Sequence, residues 1–150
     1  MASLDYRIET DCLGQIVMTP PPGPSHGEYQ LEIGHLFRTR FPPGRCITEC
    51  PISTSGGVKA ADFAWISKER SAKSEDRSCF RIAPEVCVEV LSPSNSKAEI
   101  EEKRRLYFES GAVEVWVCDR EGKLTFYTAG NVEAEESGMC PEFPKVIELP

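Results

Sequence analysis

The sequence predicts a domain of mixed class (α/β, or α+β), with a mixed β-sheet core flanked by helices. Three observations predict it: a series of apolar runs of strand length, two helical segments inserted among them, and turn-forming residues at the junctions. A length of 150 residues suits a single domain over 1–150, large enough to bury a core.

Two short strands, 6–9 and 15–18, are expected around Leu13-Gly14. They precede a break in which Pro20, Pro21, Pro22 and Pro24 can continue neither helix nor central sheet. Ser25-His26-Gly27-Glu28 fits a capping box, whose Ser and Glu side chains satisfy orphan amides at a helix start; that role, rather than metal binding, is assigned to Glu28. Tyr29, Ile33, Leu36 and Phe37 fall on one face of the helix that follows, and Phe41-Pro42-Pro43-Gly44 ends it. Strands 46–53 and 58–66 are joined at Ser55-Gly56-Gly57, a glycine pair that permits a tight hairpin. Residues 67–78 are polar and loop-like. The strand 84–91 is the strongest in the chain. The turn Ser92-Pro93-Ser94-Asn95-Ser96 offers helix N-caps, and a helix runs from it to Glu109 or Ser110, with Gly111 as its stop. Residues 113–118 and 124–127 read as a hairpin around Glu121-Gly122, and the acidic, proline-bearing tail carries a last short strand at Val146-Ile147.

Composition narrows the function. Hydrophobic residues make up 40% and charged residues 27%, ordinary for a globular chain, and no apolar run approaches the ~20 residues that span a bilayer. Met1-Ala2-Ser3-Leu4-Asp5 has no basic segment leading into an apolar one, so the expectation is a cytoplasmic protein with no membrane partner. There are seven cysteines and no CxxC pair; Cys87 and Cys118 lie inside apolar runs, which favours reduced thiols over a structural zinc site. The net charge of −7 argues against a generic DNA clamp, which carries a basic surface. It leaves room for an enzyme whose acidic site is neutralised by bound cations.

The informative residues are charges where a core should be. Strict alternation places Val58, Ala60, Asp62, Ala64 and Ile66 on one face of their strand and Ala61, Phe63 and Trp65 on the other, so Asp62 is a carboxylate in a central strand. In 84–91, Val86, Val88 and Val90 share a face, while Glu89 shares the other with Cys87 and Leu91. Buried carboxylates on neighbouring strands repel unless a cation lies among them, either a hard divalent ion such as Mg²⁺ or Mn²⁺ or a Lys or Arg side chain. On the next helix, Ile100, Leu106, Tyr107 and Phe108 span one broad face, and the helical wheel puts both Lys103 and Arg104 within it. Each is either a site cation or a snorkelling side chain at the stripe's edge.

These residues resemble a known family. Ala61-Asp62, then 84–94 (PEVCVEVLSPS), 102–107 (EKRRLY) and 111–119 (GAVEVWVCD), together with Ile16-Val17-Met18-Thr19-Pro20-Pro21 ahead of His26, are similar to the Uma-two family of restriction-endonuclease-like proteins in the PD-(D/E)XK superfamily. The resemblance runs from about Tyr6 to Tyr127, and its E-V-L-S-P-S segment followed by K-x-x-x-Y is more specific than a bare PD…ExK match. It implies a restriction-endonuclease-like mixed sheet, Asp62 and Glu89 as metal-binding carboxylates, and the main-chain carbonyl of Val90 as a further metal ligand. The superfamily's usual lysine position is Leu91 here; the resemblance implies that Lys103 on the next helix replaces it, its K-x-x-x-Y context favouring it over Arg104. Ala61 stands where the family usually has proline. His26 and Glu32 are candidate rim residues, set against a helix-start residue and a solvated helix edge; Tyr107 is core or steadies Lys103. Trp116 is core.

The resulting expectation is a metal-dependent endonuclease, using Mg²⁺ or Mn²⁺, that hydrolyses DNA phosphodiester bonds through Asp62, Glu89 and Lys103. The alternatives are a non-catalytic binding or assembly module, in which Lys103 pairs with one of the carboxylates, and a hydrolase of RNA or another phosphodiester. Analogy with small nuclease domains suggests a homodimer.

Overall fold

A computed structural model describes residues 7–74 and 78–150. Tyr6 of the first expected strand, and 75–77 of the polar stretch, lie outside the described residues. The N-terminal strands β1 (Arg7–Thr10) and β2 (Ile16–Thr19) form a separate antiparallel pair. Helix α1 (Pro24–Arg40) follows. A six-stranded mixed sheet is then built in the order β3 (Gly44–Thr54), β4 (Gly57–Ser67), β5 (Val86–Val90), β6 (Glu114–Cys118), β7 (Leu124–Thr128) and β8 (Val132–Ala134). The short helix α2 (Lys68–Ala72) follows β4, and α3 (Lys97–Glu109) joins β5 to β6. That crossover makes β5 and β6 a parallel pair, the other strand pairs described being antiparallel.

The two helical stripes bury against opposite faces. Ile33 and Phe37 of α1 pack with Phe63, Trp65, Val86, Val88, Val90 and Trp116. Phe37 lies 4.7 Å from Phe63 and 5.0 Å from Trp116, ring centre to ring centre. On the other face, Tyr107 of α3 packs with Cys50, Ile52, Ala61, Ala64, Cys87 and Val115. With α1 and α3 covering it, β5 is buried along its whole length, which explains its near-continuous apolar run. Glu114, also buried, is satisfied structurally: it accepts from the Trp116 indole (2.7 Å), the Ser137 hydroxyl (2.8 Å) and the Gly138 amide (2.6 Å), and so ties down the tail.

Several local expectations are corrected. The capping box does not form. Helix α1 starts two residues earlier than the box requires, with Pro24 in its first turn and Gly23 as an N-cap without a side-chain bond, because proline has the required φ and no amide to satisfy. Ser25 is therefore already helical and Glu28 is solvent-exposed. The polar stretch after β4 contains α2, nucleated by Ser67, whose hydroxyl accepts from the Arg70 amide at 3.1 Å. In the tail the final strand is β8; Val146 makes only an isolated bridge to Lys123.

The correction that matters for the site is in β4. Ala61 and Ala64 are three residues apart, yet both pack in the α3-side cluster, which unbroken alternation does not allow. The interruption is at Asp62 and at Glu49 opposite it. Glu49 has φ 49°, in the left-handed region, and the paired register skips from Thr48↔Phe63 to Cys50↔Ala61. Asp62 therefore does not continue the face of Ala64 and Ile66.

Candidate functional site

The β4–β5 ladder ends at Phe63↔Val88, so Asp62 and Glu89 come next, across from each other where the strands part. The parting leaves backbone groups needing partners, and side chains supply them. Asp62 Oδ2 accepts from the Val90 amide at 2.6 Å, and the Gln30 amide of α1 donates to the Asp62 carbonyl. Asp62 is fully buried and Glu89 is 1% exposed. Asp62 Oδ2 also lies 3.2 Å from His26 Nε2, while Oδ1 is engaged by the Arg7 guanidinium. Glu89 Oε1 accepts from the Tyr107 hydroxyl at 2.6 Å.

Lys103 stands two turns into α3, whose start is set by Ser96, its hydroxyl accepting from the Glu99 amide at 3.1 Å. It is buried, with Nζ 2.8 Å from Glu9 Oε2 and 3.8 Å from Glu89 Oε1. Glu9 is buried as well, and its Oε2 accepts from the Ala60 amide at 2.8 Å. That bond, and the one from the Val58 amide to the Thr10 hydroxyl (2.7 Å), attach β1 to β4.

Protonation follows from these contacts. Burial is the largest influence on Glu89 and raises its pKa; Lys103, Arg7 and the Tyr107 hydroxyl oppose it without cancelling it. For Lys103, burial pulls the pKa down, but Glu89 and Glu9 outweigh it and the net shift is upward, so the ammonium stays charged at neutral pH. Burial, aided by Arg7, lowers the His26 pKa and favours the neutral ring. Burial and Glu89 together hold the Tyr107 hydroxyl protonated, far above its ordinary range.

The structure thus brings Asp62, Glu89, Lys103, His26 and Tyr107 together, beside the main chain of Val90. Tyr107 is core, as expected, but its hydroxyl bonds Glu89 rather than Lys103. Glu32 is half-buried and takes part in none of the site contacts given above. Arg104 lies elsewhere, its guanidinium 3.6 Å above the Tyr127 ring. Sequence reasoning missed Arg7, Glu9, Gln30 and Glu49. The sequence carries no signal for the β1 pair: Ile8 points to solvent while Glu9 is buried, an inverted amphipathic pattern.

A cavity of about 120 Å³ opens onto this cluster, walled by Arg7, Glu9, Pro22, His26, Asn95 and Lys103. A larger one, about 860 Å³, lies at the Ser67 end of β4. There Arg70 faces Glu85 at 3.7 Å and donates to the carbonyls of Ala83 (2.7 Å) and Gly111 (2.8 Å), so this cation is engaged in tying loops together. The smaller cavity is the one lined by residues of the cluster, Arg7, Glu9, His26 and Lys103; Asp62 and Glu89 are buried and are not among its lining residues.

A family model described as "Uma2: Putative restriction endonuclease" matches residues 2–149. The chain belongs to the Uma2 family. Its fold is similar to the "crystal structure of a putative nuclease belonging to DUF820 from Anabaena variabilis ATCC 29413", with a TM-score of 0.74 and 20% identity over 89% of this chain and 78% of that one. No curated protein is significantly similar. Among the described residues, no helix of this Uma2 chain is long and apolar enough to cross a membrane.

The donor chemistry at Asp62 and Glu89 suits a hard divalent ion, since both offer carboxylate oxygens, and the Val90 main chain meets Asp62 through its amide. Among the described residues no group of three or more His, Cys, Asp or Glu side chains is arranged as a metal cage, and the carboxylates are neutralised by Arg7 and Lys103 instead.

Proposed function

We propose that this Uma2 chain is a metal-dependent endonuclease acting on DNA, with Asp62, Glu89 and Lys103 as its catalytic residues. The observation that carries the reading is the pair of buried carboxylates at the parting of β4 and β5, with a buried, charged lysine 3.8 Å from one of them at a cavity. The family's restriction-endonuclease description supports DNA as the substrate. Asp62, Glu89 and the Val90 carbonyl would hold a Mg²⁺ or Mn²⁺ ion, which when bound would polarise a phosphate and acidify a water.

The protein's own groups supply the rest. Lys103 remains protonated, so its part is electrostatic, stabilising charge that develops on the phosphate, rather than that of a base. Tyr107 fixes the Glu89 carboxylate, and His26 with the Val90 amide fixes that of Asp62. The test is nicking of plasmid DNA with Mg²⁺ or Mn²⁺. The wild type cuts and Asp62→Ala does not; cleavage that survives Asp62→Ala overturns the assignment. A parallel screen of RNA and small phosphodiesters identifies the substrate class.

One observation favours a second reading, a non-catalytic binding module: Lys103 and Arg7 already pair with the carboxylates. That reading predicts no DNA cleavage with any divalent ion and no metal binding that depends on Asp62.

A further inference from the structure

The N-terminal strand places a second positive group, besides Lys103, at the carboxylates. Arg7 makes a fork onto Glu49: its Nε lies 3.2 Å from Oε2, and its Nη2 lies 3.0 Å from both Oε1 and Oε2. The same Nη2 reaches Asp62 Oδ1. Four carboxylates, Glu9, Glu49, Asp62 and Glu89, thus surround two cations, Arg7 and Lys103. A divalent ion would have to share these carboxylates with the two cations. The Asp62 oxygen not taken by Val90 and His26 is the one Arg7 holds.

Arg7 meets Glu49 through more atoms than it meets Asp62. Its contacts with Glu49 use two nitrogens and both carboxylate oxygens, whereas its contact with Asp62 uses Nη2 alone. Glu49 sits at the solvent side, with a side chain 51% exposed against 0% for Asp62. Its backbone is left-handed, at φ 49°. A divalent ion on Asp62 would repel a guanidinium on the same carboxylate, and Glu49 can keep Arg7 at the cavity wall once Asp62 is given up.

We propose that Arg7 is the resident counter-cation of Asp62, that it exchanges with the divalent ion for Asp62 Oδ1, and that the β1–β2 hairpin thereby sets the metal affinity of the site. This rests on the metal-dependent reading above. After exchange Arg7 remains on Glu49 at the cavity, as a positive group for a phosphate entering there.

The test is calorimetric titration of the full chain with Mn²⁺. Arg7→Gln is expected to bind Mn²⁺ at least about tenfold more tightly than the wild type, since one competing charge at contact range is worth that much even with solvent screening. Arg7→Lys, which keeps the charge but cannot make the fork, is expected to fall between the two. Adding Asp62→Asn to Arg7→Gln is expected to abolish the gain. The proposal is overturned if Arg7→Gln binds no more tightly than wild type, if its gain survives Asp62→Asn, or if no form binds Mn²⁺. Should Arg7→Gln not fold, Arg7→Lys decides alone: tighter binding than wild type supports the exchange, and equal or weaker binding overturns it. DNA cleavage by the same preparations separates the two readings. Tighter Mn²⁺ binding without cleavage leaves the exchange standing and removes the nuclease; cleavage with unchanged affinity in Arg7→Gln does the reverse.

Discussion

The Lys103 ammonium lies 2.8 Å from Glu9 and 3.8 Å from Glu89, so a strand outside the main sheet holds the lysine more closely than the neighbouring catalytic candidate does. A divided grip of this kind keeps the ammonium charged and near Glu89 without closing onto it. It also makes the β1–β2 hairpin part of the site, because Glu9 and Arg7 both come from β1.

Replacing Lys103 by methionine would leave Glu9 and Glu89 buried without that partner. Loss of one member of a buried ion pair costs on the order of 3 kcal/mol, and DNA cleavage should fall to background. Because the folded-state pKa of Lys103 is raised above its ordinary 10.5, its stabilisation is fully present below that value and is lost as pH rises through the raised one. Denaturant unfolding of wild type and Lys103→Met should therefore differ by a constant amount from neutral pH to about 10 and converge above it.

Glu89→Gln should stabilise the fold while abolishing activity. Burial raises the Glu89 pKa above its ordinary 4.5, so the folded protein takes up a proton that the unfolded chain does not, and wild-type stability falls as pH rises through that window. Gln at this position still accepts from Tyr107, and Lys103 keeps Glu9. A gain of about 1 kcal/mol at neutral pH, shrinking towards acid, is expected from chemical denaturation. A loss of stability at neutral pH would contradict the reading of Glu89 as a charge held against its burial cost.

Tyr107→Phe removes the hydroxyl that donates to Glu89 at 2.6 Å. Leaving a buried carboxylate short of a donor costs about 1–3 kcal/mol. The cost should be largest where Glu89 is ionised and fade as it protonates, and the acid limb of the cleavage profile should move to higher pH. A pH-independent loss would mean that Tyr107 acts through packing alone.

Much of this was legible in the sequence because charges in apolar strands are conspicuous. Asp62 and Glu89 interrupt runs that are otherwise buried on both faces, and Lys103 interrupts the stripe of α3. The alternation rule then misassigned the face of Asp62, because it cannot register the left-handed turn at Glu49 that breaks the phase of β3 and β4. Geometry on the helical wheel also left Lys103 and Arg104 equivalent; the family resemblance favoured Lys103, and the fold separates the two by placing one against Glu9 and the other on the face of Tyr127. Arg7 and Glu9 were missed for a different reason. A four-residue strand carries too little pattern to reveal its inward face, and here the apolar residue, Ile8, faces out at 59% exposure. The capping box failed because Pro24, one residue earlier, already supplied what a helix start requires.

The central claim is that Asp62 and Glu89 form a divalent-metal site. A crystal soaked in Mn²⁺ tests it most directly. The account predicts an anomalous density peak between the Asp62 and Glu89 carboxylates and beside the Val90 carbonyl, with Arg7 withdrawn onto Glu49. A saturating soak that leaves Arg7 on Asp62, with no peak between the two carboxylates, would contradict it.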